Sequence, residues 1–205
     1  DLPDKLEKVV YASLEGEQKE LYLAHVGRLK LFLEKQSEAE LNTAKLYVLS
    51  ELTKLRQLCC NPSLLYEDCQ ANSAKLELCI EMIRTAAEGG HKVLVFSQFT
   101  SNFELLEKRL EEEQLSWYRL TGATKKEERI VLVEQFNQNQ VPVFLISLKA
   151  GGTGLNLTAA DIVIHYDPWW NFAVQNQATD RVHRIGQKNV VTVYKLIIKD
   201  TIEEK

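Results

Sequence analysis

The sequence has no cysteine pair at C-x-x-C spacing, no long apolar run, no excess of positive charge and no G-x-x-x-x-G-K-[ST] loop. Each absence removes a class of function. Cys59, Cys60, Cys69 and Cys79 have no matching histidine spacing, so a zinc site is not expected. They lie in or beside helical sequence with no recognisable signal peptide, and read as buried thiols of a reducing compartment. A spanning helix needs about 20 apolar residues, and no run approaches that length. A formal net charge of −4 supplies no global field for nucleic acid, so any polyanion contact has to be local. No P-loop is present, and no D-E-x-H follows a strand.

What is there suits a soluble globular protein: 205 residues, 45% apolar and 26% charged. That length fits one large domain, or a domain with an appendage, and is ample for a core. The chain begins at "DLPDK" and stops at "TIEEK", and on those ends it reads as a fragment of something longer.

Residues 15–36 and 40–58 carry apolar side chains at helical spacing, among them Leu21, Leu29, Leu33, Leu46, Leu49, Leu52 and Leu55. An antiparallel helical pair follows from that pattern. "CCNPSLLYEDCQANS" then breaks it, with Pro62 ending the helix. From residue 75 helices and strands alternate. "HKVLVFSQF", "WYRLTG", "VPVFLIS", "DIVIHYD" and "VVTVYKLII" read as five strands, several of them apolar enough to be covered on both faces. Ser101-x-x-Glu104, Thr124-x-x-Glu127 and Thr201-x-x-Glu204 are expected to cap the helices between and after them. The fold class is α/β, a parallel sheet with helices on both faces, preceded by an α-helical protrusion.

In open parallel sheets, ligands gather at the carboxyl ends of the strands. Four of those ends are polar, glycine-rich or aromatic: Ser97 and Gln98, Thr121 and Gly122, "SLKAGGTGLNLTAAD", and "DPWW". The glycine loop could cradle a phosphate or be only a tight turn. "QATDRVHRIGQ" carries more. On a helix, Arg181 and Arg184 share a face three residues apart, Gln177 joins them one turn earlier, and Gly186 suits a C-terminal cap. Asp180 is expected to point away from both arginines. Two neighbouring guanidinium groups repel unless an anion lies near them, so a solvated basic face and a phosphate clamp are the two readings. His183 is expected to be packed or hydrogen-bonded, and His25, His91 and His165 receive no role.

"VLVFSQF", "YRLTGAT", "SLKAGGTGLNLTAADIVIHYDPWWN" and "QATDRVHRIGQ", in this order, resemble motifs IV to VI of the Swi/Snf-type ATPases of helicase superfamily two. "LRQLCCNPSLL" and "SAKLELCIEMI" resemble the segments before those motifs. The likeness covers nearly the whole chain and implies a second RecA-like lobe. Residues 1–72 would then be a lobe-linking segment and helical protrusion. Residues 73–205 would be the RecA-like domain, truncated at its C-terminal helix.

Enzymes of that family hydrolyse ATP, with Mg²⁺, to translocate on double-stranded DNA and remodel protein–DNA complexes. The resemblance therefore implies ATP in a cleft against a first RecA-like lobe of the same polypeptide. That lobe would supply the P-loop lysine and the magnesium ligands. Arg181 and Arg184 would be arginine fingers, a device worth roughly 10³–10⁵ in rate, or about 4–7 kcal/mol of barrier. Gly152, Gly154 and Gln177 would face the nucleotide. Ser97, Gln98, Thr121, Gly122, Arg129, Lys149, Trp170 and Asn171 would face DNA, mostly through its backbone, giving sequence-independent and salt-sensitive binding. A DNA-bound protein is a further candidate partner, and a membrane is not. No metal ligand is assigned to this chain. Phe172 departs from the family's usual proline and Asn61 from a frequent histidine, neither at a catalytic position. The double tryptophan suits prokaryotic members, which points to a bacterial cytoplasm, with the nucleus as the alternative. Rival readings are a strand-separating helicase lobe, a stand-alone α/β module binding a nucleotide or methyl donor, and a purely structural interaction module.

Overall fold

The computed structural model describes residues 2–150, 154–168 and 171–204. Contacts divide it into two compact units. One comprises the chain up to Tyr11 together with Leu78–Ile197; the other comprises Ala12–Glu77 and the segment from Ile198 onward. This division differs from the split at residue 72 read from the sequence, since both termini cross to the unit of the opposite end.

The first unit is a six-stranded sheet. Its strands are β1 (Lys5–Ala12), β2 (Val93–Ser97), β3 (Trp117–Leu120), β4 (Val143–Ser147), β5 (Ile162–His165) and β6 (Val191–Ile198), in the order β1-β6-β5-β2-β4-β3. The pairs from β6 across to β3 are parallel. Bonds from Val191 N to Asp4 O and from Lys199 N to Ala12 O run in the same sense for β1. "VLVFS" and "VFLIS" are buried at every position, as central strands covered on both faces require. Leu94, Phe96, Phe144, Ile146, Val163 and Val193 share one core with Phe136, Ala178 and Val182. Burying each such large side chain contributes about 1.5–3 kcal/mol. The helices α4 (Ala74–Glu88), α5 (Ser101–Glu112), α6 (Lys126–Gln138) and α7 (Phe172–Thr179) make the connections. In α5 the buried Asn102, Phe103, Leu106 and Leu110 form one stripe.

The helical unit contains α1 (Gly16–Glu34), α2 (Glu38–Thr43) and α3 (Lys45–Cys60). Gln18 Nε2 donates to Leu58 O at 2.8 Å, while the Phe32 and Tyr47 rings lie 4.5 Å apart, so α1 and α3 run antiparallel. Tyr22, Leu29, Leu55, Leu58 and Cys59 form their core with Ile198. Burial pushes the Cys59 thiol and the Tyr22 hydroxyl up to about 12. Lys75 and Glu203 form a fully buried pair at 2.6 Å.

Five local expectations are corrected. β1 was not anticipated, because this edge strand is largely exposed and lacks a clean alternation. The second helix is split in two: Ser37 and Glu40 form a reciprocal capping box that starts α2, and α3 then begins at Lys45. Ser101 does not cap α5, which has no side-chain cap. Thr124 does not cap α6; its hydroxyl instead accepts from Thr121 N at 3.0 Å. Beyond β6 there is a short 3-10 turn, Ile202–Glu204, where Thr201 Oγ1 accepts from Glu203 N and donates to Ile198 O.

Candidate functional site

The parallel register brings the strand ends to one rim. Ser97 lies opposite Ser147, Phe96 opposite His165, and Leu120 opposite Ile146. Ser97 is fully buried, and its hydroxyl donates to the buried carboxylate of Asp167, just past β5. Asp167 also accepts from Gln98 N at 3.2 Å, and Asn102 Nδ2 donates to Ser97 Oγ at 3.0 Å. Ser97 thus holds the rim together from within, while the half-buried Gln98 stands over it with Nε2 on Pro168 O at 3.4 Å.

Thr121 and Gly122 lie on the turn after β3, with Gly122 exposed. Arg129, from the first turn of α6, braces that turn. Its Nε donates to Thr124 O at 2.9 Å, and its Nη2 to Thr121 O at 3.2 Å and Gly122 O at 3.4 Å. Lys149 is exposed between the buried Leu148 and Ala150, so its backbone is anchored and its ammonium is in solvent. Asn171 is exposed and caps α7, its Oδ1 accepting from Ala173 N at 3.0 Å. Gly152 and Trp170 lie outside the described residues. Gly154 has a φ of +73°, which favours glycine over any side-chain-bearing residue.

The arginines do come together, but not on a helix. α7 ends at Thr179, and residues 180–186 form successive turns. The carbonyl of Arg181, which would continue a helix, accepts from Leu157 N at 2.9 Å. That of Val182 accepts from Gln187 Nε2 at 3.1 Å, and the same amide reaches Ala160 O at 2.7 Å. Gly186, at φ +103°, turns the chain there and is not a helix cap. Arg181, Arg184, Gln177 and His183 line one concave surface of about 550 Å³, together with Asp180, Ile185 and Leu2. Asp180 borders the same surface. Arg184 Nη1 donates to Leu155 O at 3.3 Å. Among the described residues, the buried Arg181 Nε has no hydrogen-bond partner. His183 is hydrogen-bonded as expected, Nε2 donating to Pro3 O at 2.8 Å.

Asp167, Gln187 and Asn137, which hold the loops of the rim and do not themselves form its surface, were not singled out in the sequence. Asn137, in the last turn of α6, donates from Nδ2 to Asn156 O at 2.8 Å and accepts from Ala159 N at 3.3 Å. His165 was given no role, yet it is buried at the end of β5 with Nε2 3.3 Å from Thr179 Oγ1. Burial, aided by the charge of Lys195, pushes its imidazole down to about 4. Nothing in a single sequence distinguishes such residues from ordinary polar loop positions.

Among the described residues no group of three or more His, Cys, Asp or Glu side chains is placed to hold a metal ion. No described helix is long and apolar enough to cross a membrane.

The profile described as the helicase conserved C-terminal domain matches residues 74–186. Over its whole length the chain is similar to an uncharacterized ATP-dependent helicase of Mycoplasma pneumoniae, at 40% identity over 20% of that protein. It is also similar to the nuclear protein STH1/NPS1 of Saccharomyces cerevisiae, at 36% identity over 16% of that protein. The Sulfolobus solfataricus SWI2/SNF2 ATPase core in complex with dsDNA matches with a TM-score of 0.84 and 36% identity, over 98% of this chain and 42% of that one. The chain spans about a fifth of the length of the curated relatives it matches.

Proposed function

The chain belongs to the helicase conserved C-terminal domain family, in its Swi2/Snf2 type, and from that premise we propose that it is the second lobe of a DNA-dependent ATPase that translocates on double-stranded DNA and remodels protein–DNA complexes. The observation that carries the proposal is the arginine surface. Arg181, whose buried Nε has no hydrogen-bond partner among the described residues, lies beside Arg184 and Gln177 on one concave wall. Donors held ready in a partly dry site stabilise charge that develops during reaction, because they need little reorganisation.

In this scheme Arg181 and Arg184 act as fingers on the γ-phosphate of an ATP held by a first lobe of the same polypeptide. Gln177 and the glycine loop at Gly152 and Gly154 border the nucleotide. Mg²⁺ would be held with ATP by residues of the first lobe and would supply neutralisation of phosphate charge; this chain supplies guanidinium donors. Gln98, Thr121, Gly122, Lys149, Trp170 and Asn171 face the duplex. Ser97 and Arg129, expected from the sequence to face DNA, act one layer behind in this proposal, because Ser97 is buried and Arg129 is engaged with the 121–124 turn. The protein would work at a nucleoid or in a nucleus, on DNA and the proteins bound to it.

The test compares the 205-residue chain alone with the full-length protein. The lobe alone is expected to turn over no ATP and to bind nucleotide weakly, whereas the full-length protein hydrolyses ATP faster with duplex DNA. Tight, saturable nucleotide binding by the lobe alone would favour a stand-alone nucleotide-binding module.

A further inference from the structure

Arg129 and Asn137 occupy the two ends of α6, and each is fastened to a different loop of the rim. Arg129 donates to the carbonyls of Thr121, Gly122 and Thr124. Eight residues later, about 12 Å along the helix, Asn137 is bonded to Asn156 and Ala159. The loop it grips is in turn tied to the arginine turn. Leu155 O accepts from Arg184 Nη1, and Leu157 N donates to Arg181 O. Together with the backbone of residues 155–159, these bonds connect the 121–124 turn, through α6, to the Arg184 guanidinium and the Arg181 carbonyl.

α6 is suited to transmit rather than absorb a displacement. Phe136 is fully buried with its ring 5.2 Å from that of Phe144, and Leu132 and Val133 pack on the same core. The Lys92 ammonium donates to Phe136 O and, at 2.9 Å, to Asn139 O, which makes the C-terminal end a pivot. On this geometry a shift of the 121–124 turn would tilt α6 as a unit, and Asn137 is where that tilt would reach the 155–159 loop. A groove of about 650 Å³, lined by Arg129, Ile130, Val133, Gly154, Leu155 and Asn156, separates helix and loop. Within the described residues, the Asn137 bonds bridge the two beyond that groove.

We infer that α6 is a rigid strut coupling DNA contact at the 121–124 turn to the placement of Arg184, and that Asn137 is the positioning residue through which the coupling passes. This rests on the proposal that the turn meets DNA and that Arg184 meets phosphate. Asn137 touches neither ligand. Its side chain is exposed, so replacing it leaves the core intact.

The experiment uses the full-length protein and measures ATP hydrolysis with and without duplex DNA for the native form, Asn137→Ala, Asn137→Asp and Arg184→Ala. Coupling between sites typically amounts to 5–150-fold. In Asn137→Ala the ratio of DNA-stimulated to DNA-free rate is expected to fall by about fivefold or more, with DNA affinity, KM for ATP and Tm close to native. Asn137→Asp keeps the acceptor for Ala159 N but loses the donor to Asn156 O, and the same fall is expected. A native ratio in either variant overturns the inference, since both lack that donor. Arg184→Ala separates the two levels: if it abolishes hydrolysis while the Asn137 variants keep a native ratio, the strut is wrong and the finger stands. If Arg184→Ala hydrolyses ATP normally, the underlying proposal has failed instead.

Discussion

The buried carboxylate of Asp167 accepts a hydrogen bond from the Ser97 hydroxyl, joining the end of β5 to the end of β2. Its other oxygen takes Gln98 N at 3.2 Å, so one side chain sets the positions of two rim residues. Asp167→Ala leaves these donors without that acceptor, the Ser97 hydroxyl in a fully buried position. Each such loss costs about 1–3 kcal/mol, and chemical denaturation should show a destabilisation of that order or somewhat above it. Asp167→Asn retains an acceptor and should lose less. Native stability in Asp167→Ala would mean that the rim is held by other contacts.

His165 should make stability depend on pH. Its folded-state pKa is near 4 against an ordinary 6.5, so the unfolded chain binds more protons between those values. Stability is then fully present above pH 6.5 and is lost as pH falls toward 4. The linkage amounts to roughly 2 kcal/mol between pH 7.5 and pH 5. Denaturation at the two pH values, repeated with His165→Gln, checks it: the variant should show a smaller drop. An equal drop in both would place the titration elsewhere.

Lys149 and Arg129 should differ in how they affect binding to duplex DNA. Lys149 is exposed, and as a phosphate contact its removal should lower the slope of log affinity against log salt by about one. The Arg129 guanidinium is engaged with three carbonyls of the 121–124 turn. Arg129→Ala should therefore weaken binding with a smaller change of slope, because what it removes is the shape of the turn. Equal slope changes would make Arg129 a direct phosphate contact.

Much of the fold could be read from residue patterns, and the failures have physical causes. β2 and β4 are legible because a strand buried on both faces needs an uninterrupted apolar run, which "VLVFS" and "VFLIS" supply. β1 is not, because at the sheet's edge Lys5, Glu7 and Lys8 are as acceptable as Leu6 and Val9. The pairing of Arg181 with Arg184 was legible, but its cause was misjudged. Helical spacing suggested a shared face, whereas bonds from Leu157 and Gln187 take the carbonyls a helix would need and fold the segment into turns. Tertiary contacts of that kind leave no local signature, which is also why Asn137 and Asp167 passed as ordinary loop or helix residues. The cap expected at Thr124 failed for a related reason: Thr124 is drawn into the 121–124 turn and is not available to α6, whereas Thr201 does accept from Glu203 N.

As proposed, the arginine surface acts on a phosphate held by another lobe. The most direct measurement is ATP hydrolysis by the full-length protein with and without double-stranded DNA, native against Arg184→Ala, with folding and DNA binding checked in parallel. The variant should fold and bind DNA yet lose hydrolysis by roughly 10³-fold or more. Normal, DNA-stimulated hydrolysis in Arg184→Ala would contradict the claim and reduce the arginine turn to a solvated surface.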